Sequence, residues 1–293
     1  MDTTKDNTEL LKKVRKIEIK SRGLTRQVFA GQYHSAFKGK GMTFSEVREY
    51  QYGDDVRAID WNVTARFHHP YIKIHEEERE LTVMLLIDVS GSGDFGTQSQ
   101  LKRDLITEVA AVLSFSAIDN NDKIGVILFS NKVEKFIPPL KGRKHILRII
   151  RELLEFRPEN RETDISEGLR YLTNAIKKRC TAFLISDFRD AGYARSLQIA
   201  NNKHDIVALH VYDRRETELP NIGLIRVRDN ESGKTRWVDT GLKQVRNAYA
   251  YKWNSHHDMI REVFRKSGVD LVELETGSDY VKPLIKLFKR RGQ

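Results

Sequence analysis

Leu81-Thr82-Val83-Met84-Leu85-Leu86-Ile87-Asp88-Val89-Ser90-Gly91-Ser92-Gly93 joins an apolar run to a turn built from hydroxyls and glycine. The run Leu81–Asp88 shows no polar alternation, so it suits a strand covered on both faces. Downstream, helical and strand-like segments take turns. Leu101, Leu105, Val109, Val112 and Leu113 fall on one helical face, and Ile124–Phe129 is a second apolar strand. Val133–Ile137 follows the turn residues Ser130-Asn131-Lys132 and is expected to pair with it. A helix through Ile146–Leu154 stops before Pro158, and another carries Ile165, Leu169, Leu172 and Ile176. Thr181–Ser186, a helix near Ala194–Asn201, and Ile206–Tyr212 continue the alternation. Ile222–Arg228 and Thr235–Asp239 flank Asn230-Glu231-Ser232-Gly233 and read as a hairpin inserted over 221–240. A long helix to Lys266, the strand Val269–Leu274 and a last helix capped by Asp279 close the chain. This alternation predicts an α/β fold: a doubly wound, mostly parallel sheet with Leu81–Asp88 inside it and helices on both faces.

Residues 1–80 read differently. Thr8 can cap a short helix with Leu10, Leu11, Val14 and Ile17 on one side. Glycines then punctuate short segments, and Tyr71–His75 looks like a strand. No Pro- or Ser-rich linker follows, so 1–80 is expected to be an extension packed on a domain spanning 81–293.

The 293 residues include a single cysteine, Cys180, which excludes a disulfide-built domain and favours a reducing, cytoplasmic setting. Neither a secretory leader nor a membrane span is expected, because no apolar run approaches the roughly 20 residues a bilayer requires. Lys and Arg number 51 against 41 acids, for a net charge of +10. The basic residues are dispersed, with one cluster at Lys282, Lys286, Lys289, Arg290 and Arg291. No aromatic residues interleave with a Lys/Arg run, so nucleic-acid binding is not the first expectation.

In a parallel sheet, ligands gather at the carboxyl ends of the strands. There the sequence places Asp88-Val89-Ser90-Gly91-Ser92, a D-x-S-x-S turn. Its first, third and fifth side chains offer one carboxylate and two hydroxyls, hard oxygens that suit Mg²⁺, Mn²⁺ or Ca²⁺. Thr163-Asp164 stands before the next-but-one helix, and Ser186-Asp187 ends the third strand. Asp88, Ser90, Ser92, Thr163 and Asp187 are therefore read as a divalent-ion site. Each loop also has a plainer reading: Asp164 as a helix N-cap with Glu167 at its third position, Thr163 as ordinary loop, Asp187 as the next cap.

Gly91-Ser92-Gly93-Asp94-Phe95-Gly96 also spells G-x-G-x-x-G. A pyrophosphate there would meet Asp88 and Asp94, so a dinucleotide is not expected. Gly39-Lys40-Gly41 lacks the spacing of a phosphate-binding loop. His68-His69 and His256-His257 are adjacent and point opposite ways, and no nucleophile–base pair is visible, so no enzymatic activity is expected.

The D-x-S-x-S turn, a loop Thr and a strand-end Asp resemble the metal-ion-dependent adhesion site of von Willebrand factor A domains. The stretch Arg48-Glu49-Tyr50-Gln51-Tyr52-Gly53-Asp54-Asp55-Val56-Arg57-Ala58-Ile59-Asp60-Trp61, followed by Ala65-Arg66, narrows the match. It resembles the signature of the domain of unknown function 58 family, the MoxR-associated von Willebrand factor A-like proteins. Gly31, Tyr33, Ser35, Gly39, Gly41, Phe44, Glu76–Glu78 and Ile185-Ser186-Asp187-Phe188 fit the same pattern. This sequence has Gly93 where the family often has Met, and Arg161-Glu162-Thr163 where Gly often precedes the Thr.

The resemblance implies a von Willebrand factor A-like fold and a non-enzymatic adaptor or chaperone component working with a MoxR-type AAA+ ATPase. Because mainly neutral hydroxyls would leave the ion under-neutralised with an open position, an acidic protein ligand supplying an Asp or Glu is expected as a further partner. A charge-driven nucleic-acid or membrane-surface binder is the alternative. The acids and arginines around Trp61 are expected to form a buried ion network, with Trp61 itself buried.

Overall fold

β3 (Thr82–Asp88) lies between β4 (Lys123–Phe129) and β6 (Thr181–Ser186) in a six-stranded sheet of order β10-β7-β6-β3-β4-β5. β7 is Asp205–Tyr212, β10 is Asp270–Glu275, and the edge strand β5 is Val133–Leu140. All neighbours are parallel except β4 and β5, which the short turn at Asn131 joins antiparallel. The computed structural model describes residues 3–25, 36, 43–76, 80–96, 100–228, 230 and 233–292. It divides into two compact units, 38–81 and the rest of the chain.

In the larger unit the central strands are dry on both faces. Val83, Met84, Leu85 and Leu86 are all fully buried, as are Phe183 and Leu184 of β6. This is what an unalternated apolar run is for: burying each such side chain contributes roughly 1.5–3 kcal/mol, so a strand with no polar face has to sit inside. One layer of helices includes Lys102–Asp119, which is buried nearly all round. The helix Thr3–Leu24 covers its outer side, where Lys20 Nζ lies 2.6 Å from Glu108 and Val14 and Ser21 are buried. Arg143 adds a 2.6 Å bond to Glu18. That first helix starts at Thr3, so Thr8 lies within it and is not its cap. The opposite layer holds Ile165–Ala175, Ala194–Lys203 and Lys243–Lys266, which pack Leu169, Leu197, Ile260 and Phe264 into one core with Phe188. Gly268, with φ of 64°, ends the long helix in a left-handed turn.

The hairpin is present as β8 (Leu224–Arg228) and β9 (Thr235–Asp239), a separate two-stranded sheet. Residues 229, 231 and 232 of its turn lie outside the described residues.

The smaller unit pairs β1 (Thr43–Glu49) with β2 (Tyr71–Glu76), antiparallel, around the short helix Trp61–Phe67. Its signature acids are local fasteners. Asp54 takes two bonds from Arg48, at 2.8 and 2.9 Å, and one from Gln51 N. Asp55 accepts from Arg57 N. Asp60 caps the helix through Asn62 N and Val63 N. The expected buried network around Trp61 is therefore not what forms: Trp61 is 70% exposed, and Arg57 and Arg66 face solvent. Trp61 is the first residue of a two-turn helix whose cap, not its indole, is buried. Of the remaining family-pattern positions, Gly31, Tyr33, Ser35, Gly39, Gly41, Glu77 and Glu78 lie outside the described residues, as do the side chains of Phe44 and Glu76.

Candidate functional site

Asp88 ends β3 at the carboxyl edge of the sheet, where the backbone turns sharply through Gly91–Asp94. Its Oδ1 accepts from Ser90 N at 2.9 Å and its Oδ2 from Ser186 Oγ at 2.7 Å. The Oγ atoms of Ser90 and Ser92 are 3.1 Å apart. Asp187 follows β6, and Ser92 hydrogen-bonds to it. The turn and two strand ends thus bring Asp88, Ser90, Ser92 and Asp187 together.

Thr163 comes from the loop before the helix Ile165–Ala175. Gly91 N donates to Arg161 O at 3.0 Å, and Asp164 N donates to Ser130 O at 2.9 Å, so the loop is pinned to the turn and to the end of β4. Asp164 caps the helix through Glu167 N. Thr163 Oγ1 is buried and has no hydrogen-bond partner among the described residues. A buried hydroxyl left unpaired costs about 1–3 kcal/mol.

Two residues that sequence reasoning passed over dominate the electrostatics. Lys102, 1% exposed, puts its ammonium 2.7 Å from Asp187 Oδ2 and 2.9 Å from Glu216 Oε1. Glu216 belongs to the one-turn helix Arg214–Thr217 after β7 and also accepts from Arg189 Nη2 at 2.9 Å. Burial alone would raise Asp187, but the charges of Lys102 and Arg189 prevail and hold it below the usual carboxylate range. Burial disfavours the charge on Lys102 as well, and Asp187 and Glu216 more than offset this, so the ammonium persists. Asp88 differs: burial, then the charge of Asp187, raises it above an ordinary aspartate, and the bonds from Ser186 and Ser90 offset this only in part.

The donor set fits a small hard cation. Hydroxyls supply most of it, and no group of three or more His, Cys, Asp or Glu that could hold a metal occurs among the described residues. Hydroxyl and carboxylate oxygens of this kind are the donors that hard divalent cations such as Mg²⁺ favour. The charges agree. Asp187 and Glu216 are balanced by Lys102 and Arg189, and Asp88 beside them adds one negative charge. A divalent ion would turn it into one positive charge, which a single external carboxylate neutralises.

The turn tolerates no side chain at Gly91. A Cβ there would lie 2.6 Å from the carbonyl oxygen of Asn230, in the hairpin, and 3.2 Å from Arg161 Cβ. Gly91→Ala is expected to lower stability by about 1–3 kcal/mol, because two backbone segments must shift. A urea denaturation series checks it; an unchanged midpoint would mean the hairpin tip does not rest on the turn.

Other chemistry-bearing groups are structural. Cys180 Sγ lies 3.3 Å from His204 Nδ1, and burial, then the charge of Asp205, pushes the thiol up to about 12. His210 lies beside Ser186 across the β6–β7 pair, and burial, then His257, lowers it to about 3. The basic tail is partly neutralised. Arg291 binds Asp205 at 2.8 and 3.0 Å, Arg290 binds Asp270, and Lys282 lies 3.6 Å from Asp279.

A central parallel strand ending in D-x-S-x-S, with an antiparallel edge strand and helices on both faces, defines a von Willebrand factor A-like domain. The chain belongs to the family described as Protein of unknown function DUF58, whose profile matches residues 46–259. The uncharacterized protein Rv1480 of Mycobacterium tuberculosis is 30% identical over 294 residues, covering 98% of this chain and 92% of that protein. The crystal structure of BatB from Bacteroides thetaiotaomicron superposes with a TM-score of 0.50 at 14% identity, over 72% of this chain and 98% of that one. An aerotolerance-related membrane protein from Bacteroides fragilis gives 0.51, also at 14% identity and with the same coverage. Among the described residues of this chain, no helix is long and apolar enough to cross a membrane.

Proposed function

We propose that the chain is a non-enzymatic protein-interaction module whose ligand is a carboxylate bound through a divalent ion, Mg²⁺ in the first instance. Asp88, Ser90, Ser92 and Thr163 would hold the ion. Asp187 would act through water, since its Oδ2 is engaged by Lys102. The observation that carries this reading is the buried, unpartnered Thr163 hydroxyl on the loop pinned to the D-x-S-x-S turn. Mg²⁺ takes about six oxygens, so waters fill the remainder until a partner's Asp or Glu displaces one. The family resemblance makes a MoxR-type AAA+ ATPase the partner to try first.

Isothermal titration with Mg²⁺ and Mn²⁺ tests the ion, and pull-down of the ATPase with and without EDTA tests the partner. Binding that survives EDTA and fades only with salt would favour the charge-driven alternative. Thr163→Val gives a sharper check. It removes the unpaired hydroxyl at constant shape, so the metal-free protein should melt no lower than the wild type while Mg²⁺ affinity falls. A lower melting temperature with unchanged affinity would show that Thr163 is only structural.

A further inference from the structure

The hairpin β8–β9 has two unlike faces. Leu224 pairs with Asp239, Arg226 with Trp237 and Arg228 with Thr235; Ile225 pairs with Val238 and Val227 with Arg236. Directly opposed residues of an antiparallel pair share a face. Ile225, Val227 and Val238 are half-buried, whereas the other face is open. Trp237 is 66% and Leu224 64% exposed, and Arg226, Arg228 and Thr235 are exposed beside them. The only acid on that face, Asp239, accepts from Gly241 N at 2.8 Å. Neither Arg226 nor Arg228 has an ion-pair partner among the described residues. Tryptophan is highly buried on average, and an exposed apolar patch rimmed by polar groups marks an interaction site.

The tip of this hairpin meets the turn of the candidate metal site. The Asn230 carbonyl abuts Gly91, in the turn between Ser90 and Ser92. Arg228 ends β8 on the side of the tip, and Arg226 with its partner Trp237 lies two residues, about 7 Å, further back along the strand.

We propose that the outer face of β8–β9 is the ledge on which the partner's metal-binding segment lies. The chemistry of the ledge favours an acidic segment, because its two guanidinium groups outnumber the single carboxylate of Asp239. Leu224 and Trp237 further call for a large apolar side chain. An extended segment with its Asp or Glu at the ion continues along the strands, so that a later apolar side chain can meet Trp237. The inference deepens the divalent-ion reading, which supplies the anchor for that one carboxylate; the ledge itself stands on the hairpin.

The test is selection of a random-peptide display library on the full chain in Mg²⁺. The enriched peptides are then synthesised and titrated by fluorescence anisotropy against wild type, Trp237→Ser, the double variant Arg226→Glu/Arg228→Glu, and Asp88→Ala. Enriched peptides should carry an acid together with a Trp, Phe or Leu in one short segment. Each hairpin variant should weaken them by about tenfold or more, as truncation of an interface anchor does. Both hairpin variants change exposed side chains, so their melting temperatures and Mg²⁺ affinities should match the wild type. Failure to enrich the acid–apolar pattern overturns the ledge. So does unchanged affinity in both hairpin variants, or competition by an oligothymidylate that ignores Trp237. If Asp88→Ala keeps hairpin-dependent binding, the ledge holds and the ion reading fails; if only Asp88→Ala abolishes binding, the reverse is true.

Discussion

Asp88→Asn melts above the wild type in EDTA and below it in saturating Mg²⁺. Asp88 is 5% exposed, and among the described residues no cation pairs with it directly, unlike Asp187. Burial, then the charge of Asp187, raises its pKa, which means that the ionised carboxylate opposes folding. An unfolded aspartate titrates near 3.9. Between that value and the raised folded one, the folded state binds more protons. The cost is therefore full above the folded pKa, shrinks as pH falls through it, and vanishes below the unfolded value. Asparagine removes the charge and keeps an oxygen for Ser90 N. Its advantage is largest at neutral and mildly alkaline pH and fades on acidification. Each kcal/mol recovered should raise Tm by about 2–4 °C. Magnesium reverses the order: at a hundredfold excess over its dissociation constant an ion stabilises the wild type by about 2.7 kcal/mol. The variant, without the anionic ligand, gains nothing. Scanning fluorimetry over a pH series with and without Mg²⁺ reads both effects. Parallel responses of the two proteins to Mg²⁺ would remove Asp88 from the ion site.

Lys102→Met is the most damaging single change we expect on this face of the sheet. It keeps the length of the stem and deletes the ammonium that joins Asp187 to Glu216. Breaking a buried ion pair from one side costs about 3–5 kcal/mol, because the abandoned carboxylates stay buried. That corresponds to a fall in Tm of roughly 10 °C. Two controls identify the cause. Adding Glu216→Gln should recover part of the loss, since the two changes share one interaction and cannot be additive. Mg²⁺ should stabilise Lys102→Met more than the wild type, because Asp187 is then free to face the ion. A melting temperature equal to the wild type's would mean that Lys102 carries none of the charge balance.

Whether a residue could be read from the sequence depended on whether its signal was local. Strands β3, β4, β6 and β7 announced themselves because burial on both faces leaves an unbroken apolar run. The hairpin was visible from its turn residues, and Asp88, Ser90 and Ser92 from their spacing at a strand end. Lys102 was not visible. A lysine at a helix start, beside Arg103 and Asp104, has the pattern of a solvated end, and only the arrival of Asp187 and Glu216 from distant segments makes it internal. Glu216 was hidden in Arg214-Arg215-Glu216-Thr217, a single helical turn that reads as charged loop. Leu101 failed in the opposite sense: it continues an apolar helical face yet is 40% exposed, because the helix begins one residue later. Trp61 shows the same limit, since aromaticity gives no direction and the buried member of its segment is the capping Asp60.

The Lys102 triad also times the assembly of the molecule. Its two ion pairs close loops of 85 and 114 residues. Contacts of such long sequence separation form late, since chain entropy is lost before they reward it, and folds rich in them are slow. As the chain leaves the ribosome, β3, the helix after it and β4 emerge together, and they can pair before Asp187 exists. Lys102 lacks its native partners Asp187 and Glu216 during that interval, so the start of its helix is expected to stay hydrated until they arrive. Completion waits for β6 and β7 to add in their correct order, which delivers Asp187 and then Glu216. A pulse-labelling hydrogen-exchange experiment should therefore find amides near Lys102 protected last, together with those of Arg214–Thr217, well after the centres of β3 and β4.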